Sequence, residues 1–331
     1  MNEDLRQIRP LTHDDLDAYV AISANAYPGM GIRTAADRER LRSRLEASMD
    51  YADEHFYGLF QDGELRGVMK LYDFTMRLRG ADVPLGGVGA VAVDLRHKKE
   101  KVARDMLLFY LRHYRKLGAP LAALYPFRPD FYKRMGFGYG AKLNVYRVKP
   151  LDLPASGDKT AVTFITETQS EMVRACYARV RRQTNGLFAM TDGQVKRLVA
   201  RPGQQVVGVV DGDGALRGYA VMRFRSHDDG NFLHNDIEVQ WLVVENTAVL
   251  YDLLAFFRSQ ADQVDRIVIH SHDPDLHYLF NDPRNGRSGL ISPVYHESNV
   301  QGVGIMYRVI DVAGLVAALA DVNFNDQTIT L

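Results

Sequence analysis

One stretch, Gly86 to Tyr139, constrains the fold more than any other. It reads GGVGAVAVDLRHKKEKVARDMLLFYLRHYRKLGAPLAALYPFRPDFYKRMGFGY. The apolar run Val88 to Leu95 predicts a buried strand, and Arg96 to Lys101 a basic turn. An amphipathic helix over about 99–116 follows, with Val102, Met106, Phe109, Tyr110 and Tyr114 on one face. Gly118-Ala119-Pro120 stops it. A second apolar strand, Leu121 to Leu124, leads into an aromatic loop that carries Tyr132. Strand, cationic turn and helix N-terminus form an anion-binding arrangement, because free backbone N–H groups and the helix dipole converge on one spot. The unit implies a phosphate-bearing ligand, with chemistry at the strand ends.

The chain has 331 residues, enough for two domains or slightly more. Lys+Arg and Asp+Glu both number 41, so no global field draws the chain to nucleic acid or to a membrane surface. The single cysteine, Cys176, rules out an internal disulfide and a cysteine metal cluster, and it reads as a small buried hydrophobe. A reducing, cytoplasmic setting is expected. The start, MNEDLRQIRPL, is charged and does not read as a signal peptide. No apolar run reaches the ~18 residues of a membrane span.

Thr12 with Asp15 predicts a capped helix over about 13–25, and a second helix covers about 34–51. His55–Gln61 and Gly67–Asp73 read as a hairpin around Asp62-Gly63, followed by strands near 74–79 and 88–94. Strands near 121–124 and 141–148 are expected to close a first domain, and Pro150 to Asp158 reads as a linker. Helices near 168–183 and 191–199 open the second half.

The two halves match each other. Residues 57–67 read YGLFQDGELRG and residues 207–218 read VGVVDGDGALRG, both a strand, an Asp-Gly turn and a strand ending Leu-Arg-Gly. Gly218 lies 151 positions after Gly67, and the same offset carries Val91-Ala92-Val93 onto Leu242-Val243-Val244. Leu107-Leu108 maps to Leu253-Leu254 at an offset of 146. The second copy is thus shorter between strand and helix, and VENTAV stands where the first has DLRHKKEKVA. This predicts a tandem duplicated α/β unit whose first copy alone keeps the anion site. Beyond them, a strand (304–310) and a short helix (312–320) are expected, with Thr328–Leu331 opening a further strand.

With these motifs in this order, the chain resembles the GNAT N-acetyltransferase superfamily, and within it the Eis-type (enhanced intracellular survival) tandem-GNAT enzymes. The likeness covers the whole chain. Its anchors are Gly86–Val93, the basic turn, Leu124-Tyr125-Pro126 with Phe131-Tyr132 and Gly136–Tyr139, and His272-Asp273-Pro274 with Asp282-Pro283-Arg284. It implies a mixed α/β (α+β) fold: an acetyl-CoA-binding GNAT domain over 1–150, a degenerate GNAT-like domain over 151–310 that lacks the pyrophosphate loop, and the start of a truncated sterol-carrier-like (SCP2-like) domain over 311–331. It implies transfer of an acetyl group from acetyl-CoA to a primary amine of a cationic small molecule, aminoglycoside- or polyamine-like, or to a lysine side chain. A homo-oligomer is expected, with no nucleic-acid or membrane partner and no metal.

The resemblance also assigns residues. The pantetheine arm would pair with Val91, Ala92 and Val93. The pyrophosphate would sit on the backbone of Lys98, Lys99, Glu100, Lys101, Val102 and Ala103, with Phe127 and Arg128 flanking. Tyr132 would be the general acid for the leaving thiolate, since an unperturbed tyrosine has a pKa near ~10, comparable to a thiol. The family pattern in the turn is Arg/Gln-x-x-Gly-x-Gly/Ala. Here Lys98 replaces its first position, Lys101 its glycine, and only Ala103 fits. Most of the grip is backbone N–H groups and helix dipole, which any residue supplies in ordinary helical conformation, and Lys98, Lys99 and Lys101 add cations. Binding is therefore expected to survive this departure, weakened by about 1–2 kcal/mol.

The family's base is a terminal carboxylate, and Leu331 is not assigned that part. His270, His272 and His277 form a scattered-histidine loop rather than a metal set, and His97 and His113 read as solvated or phosphate-adjacent. Two other readings fit the same residues. One is a non-catalytic module that has lost the cofactor, suggested by Glu100 and Lys101. The other is a tandem-GNAT transferase with a different acyl donor.

Overall fold

The computed structural model describes residues 6–227, 234–286 and 296–322. Elements run in chain order from β1 (Arg6–Pro10), α1 (Leu16–Ala26) and α2 (Ala35–Met49) to β2 (Glu54–Gln61), β3 (Glu64–Leu78) and β4 (Ala81–Val93). Next come α3 (Val102–Lys116), β5 (Leu121–Leu124), α4 (Pro129–Arg134) and β6 (Gly138–Tyr139). The second half contributes β7 (Lys142–Val148), β8 (Val162–Ile165), α5 (Ser170–Gln183), α6 (Asp192–Ala200), β9 (Gln205–Val210) and β10 (Leu216–Ser226). It continues with β11 (Asn235–Val244), α7 (Thr247–Arg258), β12 (Arg266–Ser271) and β13 (Val300–Val303). β14 (Met306–Val309) and α8 (Val312–Ala318) complete the order.

The chain forms two compact units, each built on one mixed sheet. The first sheet has the order β1-β2-β3-β4-β5-β14-β6, and its β4–β5 pair is parallel. The second has the order β13-β7-β12-β11-β10-β9-β8, with β11–β12 parallel. Read from opposite ends, the two orders are the same. The duplication extends to single-residue register. Gly67 pairs with Val93 and Val68 with Ala92; 151 residues on, Gly218 pairs with Val244 and Tyr219 with Val243.

The two sheets have exchanged one strand. β7, expected to close the first domain, pairs with β12 and β13 in the second sheet. β14, from the far end of the chain, pairs with β5 and β6 in the first. The segment expected as a linker is structured too: Pro150 is buried, and Leu153 is fully buried in the second unit's core beside Leu254 and Phe257. The first unit ends at Tyr139, resumes for Asn185–Ala189, and takes the chain again from Ile305. Helix α8, expected to open a third domain, packs Leu315 and Ala318 on Met76, Val83 and Leu85 of the first unit. The strand expected over Thr328–Leu331 lies outside the described residues.

In the first unit the sheet is covered on both faces. Helix α3 lays Val102, Met106, Tyr110 and Tyr114 on Leu59, Met69, Leu71 and Val88, as its periodicity predicts; Leu107 is buried with them, while Phe109, expected on the same face, is only partly buried. On the other face α1 and α2 pack Leu16, Tyr19, Val20, Leu41 and Leu45 on Phe56, Val68 and Ala92. Gly86 is required where α3 crosses β4, because a Cβ there would fall 2.1 Å from the Tyr114 ring. The hydroxyl of Tyr110 donates to the Gly86 carbonyl at 2.8 Å, which fixes the helix on the strand. Among the described residues no helix is long and apolar enough to cross a membrane.

Candidate active site

Strands β4 and β5 pair in parallel only from Leu85↔Leu121 to Val88↔Leu124. Beyond Val88, β4 runs on for five residues, keeps its pairing with β3, and leaves β5 behind. The register of β4 on β3 slips between Gly89 and Ala92, and within the slip Ala90 has φ +49°. This is a β-bulge that bends the strand away from its neighbour. Asp94 donates its N–H to the Arg66 carbonyl at 2.9 Å. By the alternation of an antiparallel ladder, Val91 and Val93 then point their backbone groups away from β3, towards the side β5 has vacated. Ala92, between them, faces β3. Past Val88 the two strands therefore leave a notch between them, with Val91 and Val93 on its edge.

The turn after β4 does not start the helix at residue 99, because Lys99 and Lys101 both adopt left-handed conformations, φ +70° and φ +66°. Helix α3 begins at Val102, with Lys101 as its N-cap residue and no side chain capping it. This corrects the sequence-based expectation of ordinary helical conformation through the turn. Lysine occupies the family's glycine position and still takes the glycine-like backbone, at the cost a Cβ pays there. Of the five non-glycine residues with left-handed φ among the described residues, three lie at this site: Ala90, Lys99 and Lys101. Such strain persists only where surrounding structure holds it, and it clusters at functional sites.

The strained turn leaves a row of backbone donors open. Among the described residues the N–H groups of Lys101, Val102, Ala103 and Arg104 have no hydrogen-bond acceptor. Lys98, Lys99, Lys101 and Arg104 are exposed around them. Glu100, an adverse charge within the turn, is drawn aside: its carboxylate meets Nδ1 of His97 at 3.1 Å. His97 also contacts Arg66 and is half-buried rather than solvated. Asp94 anchors the turn by accepting the Arg96 N–H at 2.9 Å, and its carboxyl is held low, at about 2, chiefly by the Arg96 guanidinium.

Tyr132 lies on α4 rather than in an open loop, 7 % exposed, edge-on to Phe131 and Phe137, in the same core cluster as Val88 and Val102. Burial pushes its phenol up to about 12, with a smaller contribution from Tyr27. Its hydroxyl makes no hydrogen bond to the described residues. Tyr27, at the end of α1, donates its hydroxyl to the Val91 carbonyl at 2.6 Å. The sequence reading missed Tyr27; nothing in its local pattern connects it to a strand 64 residues away. Phe127 (76 % exposed) and Arg128 sit just past the end of β5, with Arg128 paired to Asp130 at 2.8 Å. The structure brings Tyr132, Val91, Val93 and the Lys101–Ala103 backbone onto one unit around β4, and it leaves Phe127 and Arg128 as exposed flanking groups.

The second unit repeats the notch without the cradle. There the parallel pairing ends at Val239↔Ile269, and Val239 lies 151 residues after Val88. After β11 only two residues precede α7, and Asn246 accepts the Val249 N–H on its own Oδ1 at 3.1 Å. That cap takes one of the N–H groups an anion would need.

The remaining sequence candidates fall elsewhere. His270 meets Glu238 at 3.2 Å, His272 the Lys142 carbonyl at 2.8 Å and His277 the Pro274 carbonyl at 3.1 Å, so the three serve separate partners. His113, expected to be solvated or phosphate-adjacent, is half-buried and stacks on Phe109 at 5.6 Å. Cys176 is buried, as expected, and burial pushes its thiol up to about 12.

Comparison with known proteins agrees with this architecture. An acetyltransferase (GNAT) domain model matches residues 7–140, and a second acetyltransferase (GNAT) domain model matches residues 182–309. The chain belongs to the GNAT acetyltransferases and carries two such domains in tandem. By that membership it is an N-acetyltransferase. Its fold is similar to that of a GCN5-related N-acetyltransferase from Kribbella flavida, at 20 % identity and TM-score 0.73 over 95 % of this chain and 74 % of that one. It is similar to one from Anabaena variabilis, at 13 % identity and TM-score 0.77 over 95 % and 75 % of the two chains. Eis1 from Mycobacterium abscessus shares the fold at 20 % identity and TM-score 0.71, over 95 % and 76 %. No curated protein sequence matches the chain.

Proposed function

We propose that the first unit binds acetyl-CoA and transfers its acetyl group to a primary amine, either on a cationic small molecule or on a lysine side chain. The observation that carries this reading is the turn itself: four unclaimed backbone N–H groups at the head of α3, ringed by Lys98, Lys99, Lys101 and Arg104. These donors and charges suit a pyrophosphate, and a left-handed Lys101 lets the backbone come close to it. When bound, acetyl-CoA supplies the activated acetyl group.

Each residue then has a part. Lys98 to Ala103 hold the diphosphate, with backbone N–H groups as the grip and lysines as counter-charge. The open backbone of Val91 and Val93 lines the notch, where N–H groups can steady negative charge on an acyl oxygen. The Tyr27 hydrogen bond holds the bulge that opens this edge. Tyr132, kept protonated by burial, donates its phenolic proton to the sulfur as the thiolate departs. A phenol held at about 12 is a weaker acid than the thiol it serves, so the proton moves as the carbon–sulfur bond breaks rather than beforehand. Phe127 and Arg128 flank the cofactor in this reading.

The test is a direct assay. Thiol release from acetyl-CoA is followed with a panel of polyamines, aminoglycosides and lysine peptides, and the acetylated amine is identified by mass. Acetylation of at least one amine class, lost when Ala103→Asp puts a carboxylate among the free N–H groups, supports the proposal. A chain that binds no acetyl-CoA contradicts it and favours the non-catalytic reading. The withdrawal of Glu100 towards His97 argues against that alternative.

A further inference from the structure

In the second unit, three segments meet at one end of the sheet. His227 follows the last residue of β10, Asp236 is near the start of β11, and Asp265 immediately precedes β12. The ladder fixes them there: Ser226 pairs with Asn235, and Asp265 donates its N–H to the Asn235 carbonyl at 2.8 Å. His227, Asp236 and Asp265 each bring a ligand atom to within 4.8 Å of the others. Nε2 of His227 is 3.0 Å from Oδ2 of Asp236, and Nε2 of His234 is 3.0 Å from Oδ2 of Asp265.

Two histidine–aspartate pairs alone do not account for this arrangement. Asp236 is 7 % exposed, and its second oxygen, Oδ1, is buried without a hydrogen-bond partner among the described residues. A buried carboxylate oxygen left unpaired is costly, and native structures avoid it unless something else satisfies the atom. Nor does any lysine or arginine pair with Asp236 or Asp265 among the described residues, so two clustered carboxylates are offset only by imidazoles. A divalent cation answers both deficits.

We propose that His227, Asp236 and Asp265 bind one divalent cation of the zinc class, and that His234 orients Asp265 by hydrogen bonding its Oδ2. One imidazole nitrogen with two carboxylates suits a borderline ion, and three protein ligands leave room for water as the fourth. Ligands on one tetrahedral zinc lie roughly 3.3 Å apart, given bonds of about 2.0–2.2 Å. The His227–Asp236 pair, at 3.0 Å, is already near that spacing, and the Asp265 ligand atom lies within 4.8 Å of both. The site ties the ends of three strands together independently of the acetyl-transfer site.

The test is titration of metal-free full-length protein with Zn²⁺, and with Co²⁺ as a coloured probe. The expected result is one saturable site per chain, with Co²⁺ absorption typical of low coordination and a higher melting temperature with Zn²⁺. His227→Ala, at a half-exposed position that folding tolerates, removes the site. His234→Ala weakens it by about 10- to 100-fold, the usual effect of losing an orienting partner. Asp236→Asn removes it too, its fold checked by circular dichroism. His272→Ala, a histidine outside the cluster, leaves binding unchanged. No saturable binding, or binding that His227→Ala leaves intact, overturns the proposal.

Discussion

The carbonyl of Lys101 accepts the N–H of Asp105 at 2.9 Å, so α3 is launched from a residue whose own φ is +66°. The bond is the first of the helix, and the strain lies at its root. Everything upstream, from Asp94 to Lys101, is shaped to leave the next N–H groups uncovered.

Lys101→Gly therefore stabilises the first unit by about 1 kcal/mol, because glycine takes the left-handed region without the Cβ penalty. Lys101→Val acts in the opposite direction by a similar amount, since a β-branched residue tolerates that region worst. Urea unfolding of the two variants beside the wild type checks both signs. Acetyl-CoA affinity of Lys101→Gly falls only slightly, since the backbone donors remain.

Tyr132→Phe removes a proton donor without removing a hydrogen bond to the described protein. The kcat falls by about 10²- to 10⁴-fold, the usual share of a general acid, while KM for acetyl-CoA changes little. The pH profile carries a second signature. Burial pushes the phenol up to about 12, so the acid stays protonated well beyond neutrality. The wild-type rate keeps rising with pH as the amine substrate loses its proton, with no fall from Tyr132 ionisation below about pH 11. A basic limb near the ordinary tyrosine value, absent from Tyr132→Phe, would contradict the burial argument.

Gly86→Ala tests the packing that seats α3 on β4. The new Cβ meets Tyr114, whose ring cannot swing aside freely because its hydroxyl is held by Asp73 at 2.9 Å. Overpacking of this kind costs about 1–3 kcal/mol. The measurement is a denaturant midpoint, and Gly63→Ala is no control, since Gly63 has φ +78° and an alanine there would be strained for a separate reason.

His113 gives a pH prediction. Burial lowers its pKa below the ordinary histidine value, opposed in part by Asp73. The unfolded chain then binds a proton that the folded chain resists. Its contribution to stability is full above the unfolded pKa of about 6.5 and is lost as pH falls through the lower folded value. The stability gap between wild type and His113→Gln narrows from pH 7 towards pH 5.

Much of the fold is legible in the sequence because it is local. The α3 stripe, the Asp62-Gly63 hairpin and the 151-residue offset all depend on neighbours in the chain or on a repeat, and the registers agree to the residue. The exchange of β7 and β14 is not legible. A strand such as KLNVYRV carries the alternation needed for a sheet edge but no record of which sheet it joins. Within the site, the resemblance led to Tyr132 and the turn. The left-handed lysines escaped notice because that conformation is ordinarily marked by glycine or asparagine, and Tyr27 because only folding brings it to Val91. The histidine–aspartate cluster beside β10 and β11 was missed for a related reason: Asp265 joins it from a separate strand.

The central claim is that the backbone N–H groups at the head of α3 hold the diphosphate of acetyl-CoA. Amide-resolved NMR of the full chain, titrated with acetyl-CoA, tests it most directly. The account predicts that the amide signals of Lys101, Val102, Ala103 and Arg104 move saturably while those of Thr247 to Val249, the self-capped counterpart, stay put. Saturable binding that leaves Lys101 to Arg104 unmoved would contradict it.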